Sequence, residues 1–288
     1  MPPRVIRRAC ALAALAGASG ACLFVDIDES LVSPTDASED GATDAEPKGD
    51  ASDAGSGDAG DGAVDAPSTF CTSQTAHSFC ADFDESTNLA PPWTMVRLSP
   101  RGTVDAGTSV YRSAPRSLNV TFLAPTSDPN DSVGVMKRFA RKSPVVRIRF
   151  ALKPHAVPAA DNASFAFVQL GLSPYYAFAL NVTPSGTYAG ELFPMLDGAT
   201  ANAQHYLSAS APVDTWTTVE IRLDIGAGND AGTFEVRFDD ASVGTFPRAP
   251  YPIIEGDNDS IVMGGYLWSG NTDGGVISSD FDDVVLDW

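Results

Sequence analysis

From residue 69 onward the sequence predicts an all-β fold of two packed antiparallel sheets, and three observations predict it. The first is the stretch Trp216 to Asp240, which reads as two strands and a turn. Thr217, Val219, Ile221, Leu223 and Ile225 alternate with Thr218, Glu220, Arg222 and Asp224, the period-two pattern of a half-buried strand. Gly226 to Gly232 supplies turn residues, and Phe234, Val236 and Phe238 then alternate with Glu235, Arg237 and Asp239. The second observation is that similar short runs recur, separated by Gly, Pro, Asn and Asp. The third is that outside the N-terminal leader no stretch of ten or more residues keeps a helical period. One domain spanning 69–288 accommodates all of these strands, so no second domain is required.

The chain before residue 69 is of another kind. Residues 1–21 carry Arg4, Arg7 and Arg8 and no acid, then an apolar run too short to span a bilayer. This is the pattern of a secretory signal peptide. Ser19 and Ala21 precede Cys22 as a small-x-small cleavage site, and Cys22 sits where bacterial lipoproteins carry their acylated cysteine. It is read as the lipidated first residue of an exported outer-membrane lipoprotein facing the exterior. Ordinary cleavage after Ala21 is the alternative. Residues 22–68 hold thirteen acids against the single base Lys48, and repeat Asp-Ala at Asp36, Asp44, Asp50, Asp53, Asp58 and Asp65. Such a segment buries too little apolar area to offset its ordering entropy and is read as a disordered acidic linker. A chain with net charge −19 also points away from nucleic acid.

The strands are expected in order at Phe79 to Asp84, Trp93 to Leu98, Thr103 to Val110, Ser117 to Leu123, Val133 to Ala140 and Val145 to Lys153. Ala163 to Leu172 and Tyr175 to Val182 are more apolar and are expected at a sheet centre. Gly186 to Phe193, Ala203 to Leu207, the Trp216 hairpin, Ser242 to Phe246, Ser260 to Trp268 and Val276 to Asp287 complete the set. Cys71 and Cys80 are the domain's two cysteines, and in an exported protein a disulfide between them is the default. His77 alone is too little to make them a zinc site. Seven of the domain's fourteen bases fall between Lys137 and Lys153. They are read as the solvent face of two adjacent strands paired against acids elsewhere, with a patch for an anionic polymer as the alternative.

The segments FCADFD, DTWTTVEIRLDI, GTFEVRFDD and SSDFDDVVLD, with YRSAPRSLNV, resemble the laminin-G-like and concanavalin A-like jelly-roll superfamily. The resemblance covers residues 70–288 and rests mostly on core and turn residues. It implies a two-sheet antiparallel jelly-roll sandwich with the first and last strands adjacent. Leader, Asp-Ala linker and cysteine-bridged domain start together look like a secreted lipoprotein of the myxobacterial type.

The resemblance also frames the chemistry. Relatives that hydrolyse glycans align two glutamates and an aspartate on one strand, because acid and nucleophile must stand close on one face. Here the glutamates Glu85, Glu191, Glu220, Glu235 and Glu255 are scattered, and only Asp280 and Asp282 pair on one face. None of His77, His155 and His205 lies in a nucleophile motif, and no lyase set of basic and aromatic residues maps onto the chain. Relatives often hold a structural Ca²⁺ between first and last strands, which would involve Asp82, Asp84 and Asp282 with carbonyl oxygens. Otherwise these acids cap turns and face water. For glycan binding the candidates are Tyr266, Trp268, Asn271 and Asp273, with Tyr175, Tyr188 and Asn181 beside them; the alternative is that the aromatics complete the core. The expected function is a non-catalytic module binding glycan or extracellular matrix at the cell surface. The alternatives are a protein-adhesion sandwich with no small ligand and a glycan-cleaving enzyme.

Overall fold

The computed structural model describes residues 70–123 apart from 75, 85, 98 and 100, then 132–157, 163–171, 176–183, 186–194, 200–226, 232–249, 253, 259–267 and 275–288. After a single 3₁₀ turn at Phe70–Ser73, every element among them is a strand. The strands are β1 (Phe79–Ala81), β2 (Met95–Arg97), β3 (Gly102–Gly107), β4 (Ser117–Leu123), β5 (Ser132–Phe139), β6 (Val145–Ala156), β7 (Ala163–Leu170) and β8 (Tyr176–Thr183). They continue as β9 (Gly186–Pro194), β10 (Thr200–Tyr206), β11 (Thr217–Asp224), β12 (Thr233–Phe238), β13 (Ala241–Pro247), β14 (Asp259–Leu267) and β15 (Val276–Asp287).

The alternating side chains sort these strands into two antiparallel sheets. One has seven strands in the order β10-β9-β8-β7-β14-β5-β2. The other has eight, β13-β12-β11-β6-β15-β4-β3, with β1 also on β15. The inward residues of both fill one core, in which Phe122, Phe150, Phe178, Phe234, Phe281, Leu118 and Ile148 are all buried. The first and last strands are neighbours as expected, with Phe79 opposite Leu286 and Ala81 opposite Val284. Cys71 and Cys80 are disulfide-bonded, closing the chain just before β1.

Three expectations need correction. The first strand stops at Ala81, because Phe83 takes a left-handed φ of 63° and its ring stacks on buried Trp93. Trp93 itself precedes its strand, packing edge-on to Phe79 at 5.1 Å. The basic strands β5 and β6 follow each other in sequence but lie in different sheets, so Lys137–Lys153 is not one face. Three of the seven bases are nonetheless met by acids: Arg147 by Glu220 at 3.2 Å, Arg149 by Asp240 at 4.0 Å and Arg141 by Asp259 at 3.4 Å.

The last strand changes face midway. Ile277 and Phe281 point to the core, then Val284 and Leu286 do, a switch from odd to even positions. A bulge between Asp282 and Val285 makes the switch, with Asp283 at φ 52°. Beyond it β15 exchanges β4 for β1 as its partner.

Candidate functional site

The two outer faces differ in chemistry. On the eight-stranded sheet, register sets charges side by side: Glu235, Arg222, Arg147 and Asp287 form one cross-strand row, and Arg237, Glu220 and Arg149 the next. The seven-stranded sheet is the opposite case. By register its outer positions form rows running across the strands. One row is Ser132, Tyr266, Ser164, Asn181, Tyr188 and Tyr206, from β5 through β14, β7, β8 and β9 to β10. A second is Arg138, Ser260, Gln169, Ala177, Leu192 and Asn202. Between them runs an apolar row whose Met95, Met136, Val262, Phe167 and Ala179 belong to a hydrophobic cluster separate from the main core. Among the described residues, these outer positions hold no Asp or Glu. Arg138 is the charged residue there whose side chain is described.

The sheet brings together Tyr266, Asn181 and Tyr188, which are far apart in sequence. Asn181 is buried, accepts a hydrogen bond from the Ser164 hydroxyl and contacts the Ala179 carbonyl oxygen at 3.5 Å. Trp268, Asn271, Asp273 and Tyr175 lie outside the described residues. The row's exposed end, Tyr206, is 71% accessible and was not singled out from sequence. The signal for it was the alternation Asn202, Gln204, Tyr206 on an edge strand.

None of the three histidines lies on this face. His205 sits between the sheets, its Nε2 2.8 Å from the Glu191 carboxylate and its ring against Phe234 and Phe246. Glu191 also accepts from the Tyr176 hydroxyl at 2.6 Å and from the Ala249 amide at 3.0 Å. Burial, with the Glu191 carboxylate adding to it, pushes the Tyr176 hydroxyl well above its usual range. Buried Arg248 lies over the Tyr176 ring and donates to the Ile225 carbonyl at 3.2 Å. This polar group inside the sandwich ties β8, β9 and β10 to the segment after β13. His155 is clamped between Asp214 at 2.7 Å and Asp280 at 2.6 Å on the eight-stranded side. His77 meets Asp287 at 2.9 Å.

Asp82, Asp84 and Asp282 are buried rather than water-facing. Asp82 is 0% exposed and accepts from the Cys71 amide at 2.8 Å. Asp84 accepts from the Arg116 amide at 2.9 Å. Asp282 is 0% exposed and accepts from the amides of Arg112, Ser113 and Asp283 at 2.9–3.0 Å. Burial, reinforced by the neighbouring Asp283 carboxylate, pushes Asp282 up to about 7. Among the described residues no group of three or more His, Cys, Asp or Glu is arranged to hold a metal ion. Asp280 and Asp282 do not work as a carboxylate pair, since Asp280 is engaged by His155 and Asn119.

No protein-family model matches this chain, and no curated protein matches it either. Solved structures do. A fungal endo-β-1,4-glucuronan lyase from Trichoderma reesei superposes with a TM-score of 0.58 at 16% identity, over 73% of this chain and 95% of its own. The cellulose-induced protein Cip1 gives 0.47 at 15%, over 72% and 96%. An alginate lyase of polysaccharide lyase family 7, AlgAT5, gives 0.42 at 11%, over 66% and 83%. The first of these likenesses establishes a jelly-roll β-sandwich and nothing about activity.

Proposed function

We propose that the outer face of the seven-stranded sheet binds an acidic polysaccharide. The observation that carries this is a cross-strand row of register positions, Tyr266, Ser164, Asn181, Tyr188 and Tyr206, which holds buried Ser164 and Asn181 and ends on exposed Tyr206. It crosses five strands, roughly 19 Å at normal strand spacing, which suits a short stretch of sugar chain. Aromatic and amide groups are what sugar rings and hydroxyls require. Among the described residues this face carries no carboxylate, in a strongly acidic protein, which makes an anionic chain acceptable there, and Arg138 supplies a counter-charge. The adhesion alternative does not account for the exposed tyrosine at the end of that row.

A second reading is a glycan lyase. Among the described residues the face has tyrosines and amides but neither a carboxylate pair nor a histidine, so hydrolysis by paired acids does not fit them, whereas proton abstraction by a tyrosine beside a uronate does. The structural likeness to a glucuronan lyase raises this reading by analogy of fold. One experiment separates the two. Gel retardation on glucuronan, alginate and cellulose should show the acidic polymers slowing the protein, and Tyr206→Ala weakening retention by about three- to tenfold. Formation of unsaturated uronate ends, read by ultraviolet absorbance, would establish the lyase. Retention by none of the polymers would remove both readings.

Two further proposals come from sequence. Cys22 carries the lipid that anchors the exported protein, with residues 22–68 as tether. A structural Ca²⁺ near Asp82, Asp84 and Asp282 is the other. Backbone carbonyls would have to complete its shell, since these carboxylates already serve backbone amides.

A further inference from the structure

An open groove of about 430 Å³ lies on the opposite side of the sandwich, against the outer face of the eight-stranded sheet. It is lined by Ser78, Ser143, Arg147, Arg222, Asp287 and Trp288. Arg222 and Arg147 face each other directly in register. Like charges in that relation repel unless something lies between them. The nearby acids compensate only partly. Glu220 takes the Nε of Arg147 at 3.2 Å, leaving its terminal N–H groups. Glu235 stands opposite Arg222 but lies 3.9 Å from Arg237, and Arg222 has no ion pair among the described residues. Asp287, which borders the groove, has both oxygens within 3.0 Å of the His77 ring. The groove therefore presents two guanidinium groups with donors to spare. At its border is Trp288, whose ring stacks on Phe139 at 4.9 Å and extends the core to this surface.

We infer that this groove is a second binding site, taking one acidic sugar residue. Its carboxylate or sulfate ester bridges Arg147 and Arg222, as two guanidinium groups favour a planar or tetrahedral oxyanion. Its ring lies against Trp288, and Ser78 and Ser143 offer hydroxyls to the ring oxygens. This site is independent of the tyrosine row, being on the other sheet. With both sites working, one domain holds two sugar chains on opposite faces.

The test is calorimetric titration of the full chain with D-glucuronate, D-glucose 6-sulfate, inorganic sulfate and neutral D-glucose, with unchanged melting temperatures confirming that each variant folds. The acidic sugars should bind, glucose should not, and affinity should fall with added salt. Arg222→Gln should weaken binding about tenfold, and the double variant Arg147→Gln/Arg222→Gln should abolish it. Trp288→Ala should lose the acidic sugars while keeping sulfate. Tyr206→Ala should leave all of this unchanged, so the two sites fail or succeed separately. The glucuronate and sulfate-ester arms tell which acidic group is preferred. Unchanged affinity in the double variant would overturn the proposal, as would wild-type protein that binds inorganic sulfate but neither acidic sugar.

Discussion

At the scale of single residues, Asp282 and His155 set how stability depends on pH. Asp282 rises from 3.8 to about 7 on folding, chiefly through burial, despite three amide donors that favour its anion. A carboxyl raised in the folded state makes the native protein bind protons more readily than the unfolded chain. Stability therefore falls as pH climbs between those two values, by on the order of 4 kcal/mol. His155 adds to the trend. Burial is the largest influence on it and lowers its pKa, but the bonds to Asp280 and Asp214 together outweigh burial, and the net shift is upward from 6.5. Its contribution is full below 6.5 and is lost as pH rises through the folded value. Melting temperature should thus increase as pH is lowered from about 8 to about 5. His155→Gln should remove part of that slope. Calcium at Asp282 would hold the carboxylate ionised, so millimolar calcium should raise the melting temperature at neutral pH and flatten the slope. Superimposable curves with calcium and with chelator would end the calcium proposal.

Among the strands, the floor of the tyrosine face depends on two glycines. Gly134 and Gly264 are paired across β5 and β14, with φ of 154° and 142°. A Cβ on Gly134 would run into the Met263 carbonyl oxygen, and one on Gly264 into that of Val133. Gly264→Ala should cost more than about 1 kcal/mol in chemical denaturation, since both φ and space oppose the methyl. The β15 bulge is a second element-level device. Deleting Asp283 would return Val284 and Leu286 to the solvent side, because a one-residue slip reverses every side chain beyond it. That variant should fail to give a cooperative melt. The doublet Asp282–Asp283 breaks the alternation, with Ile277 and Phe281 odd and Val284 and Leu286 even, yet Val276 to Asp287 reads as one unbroken strand in sequence. Its location beside β1 was expected from the family resemblance alone, since local alternation does not pair strands about two hundred residues apart.

For the molecule as a whole, the disulfide and the N-terminal segment give the remaining tests. Cys71→Ser with Cys80→Ser should lower stability by about 2–3 kcal/mol through the entropy of the short loop the bond closes, with the fold retained. If Cys22 is acylated, Cys22→Ser should move the protein from the membrane fraction to the soluble one. An unmodified N-terminal mass for the wild type would refute the anchor. Together these would test the proposed arrangement: an anchor, an acidic tether and a sandwich with a binding face on each sheet.

Much of this protein was determined locally. Alternation is a property of neighbouring residues, so β4 and β15 were legible with the observed bounds, and the hairpin of β11 and β12 nearly so. The cysteine pair was legible because it had no competitor. What the tertiary structure alone decided is lateral order. Tyr266, Asn181 and Tyr188 share a row because packing of the two sheets fixed which strands lie side by side and in what register. Nothing in their local sequence carries that information. The same holds for Asp82 and Asp282. As acids near turns they read as solvent-facing, and only the fold surrounds them with backbone amides that make burial tolerable. Arg147 and Arg222, too, become a pair only where β6 meets β11, since hydrogen bonding between strands, not sequence spacing, sets two like charges face to face.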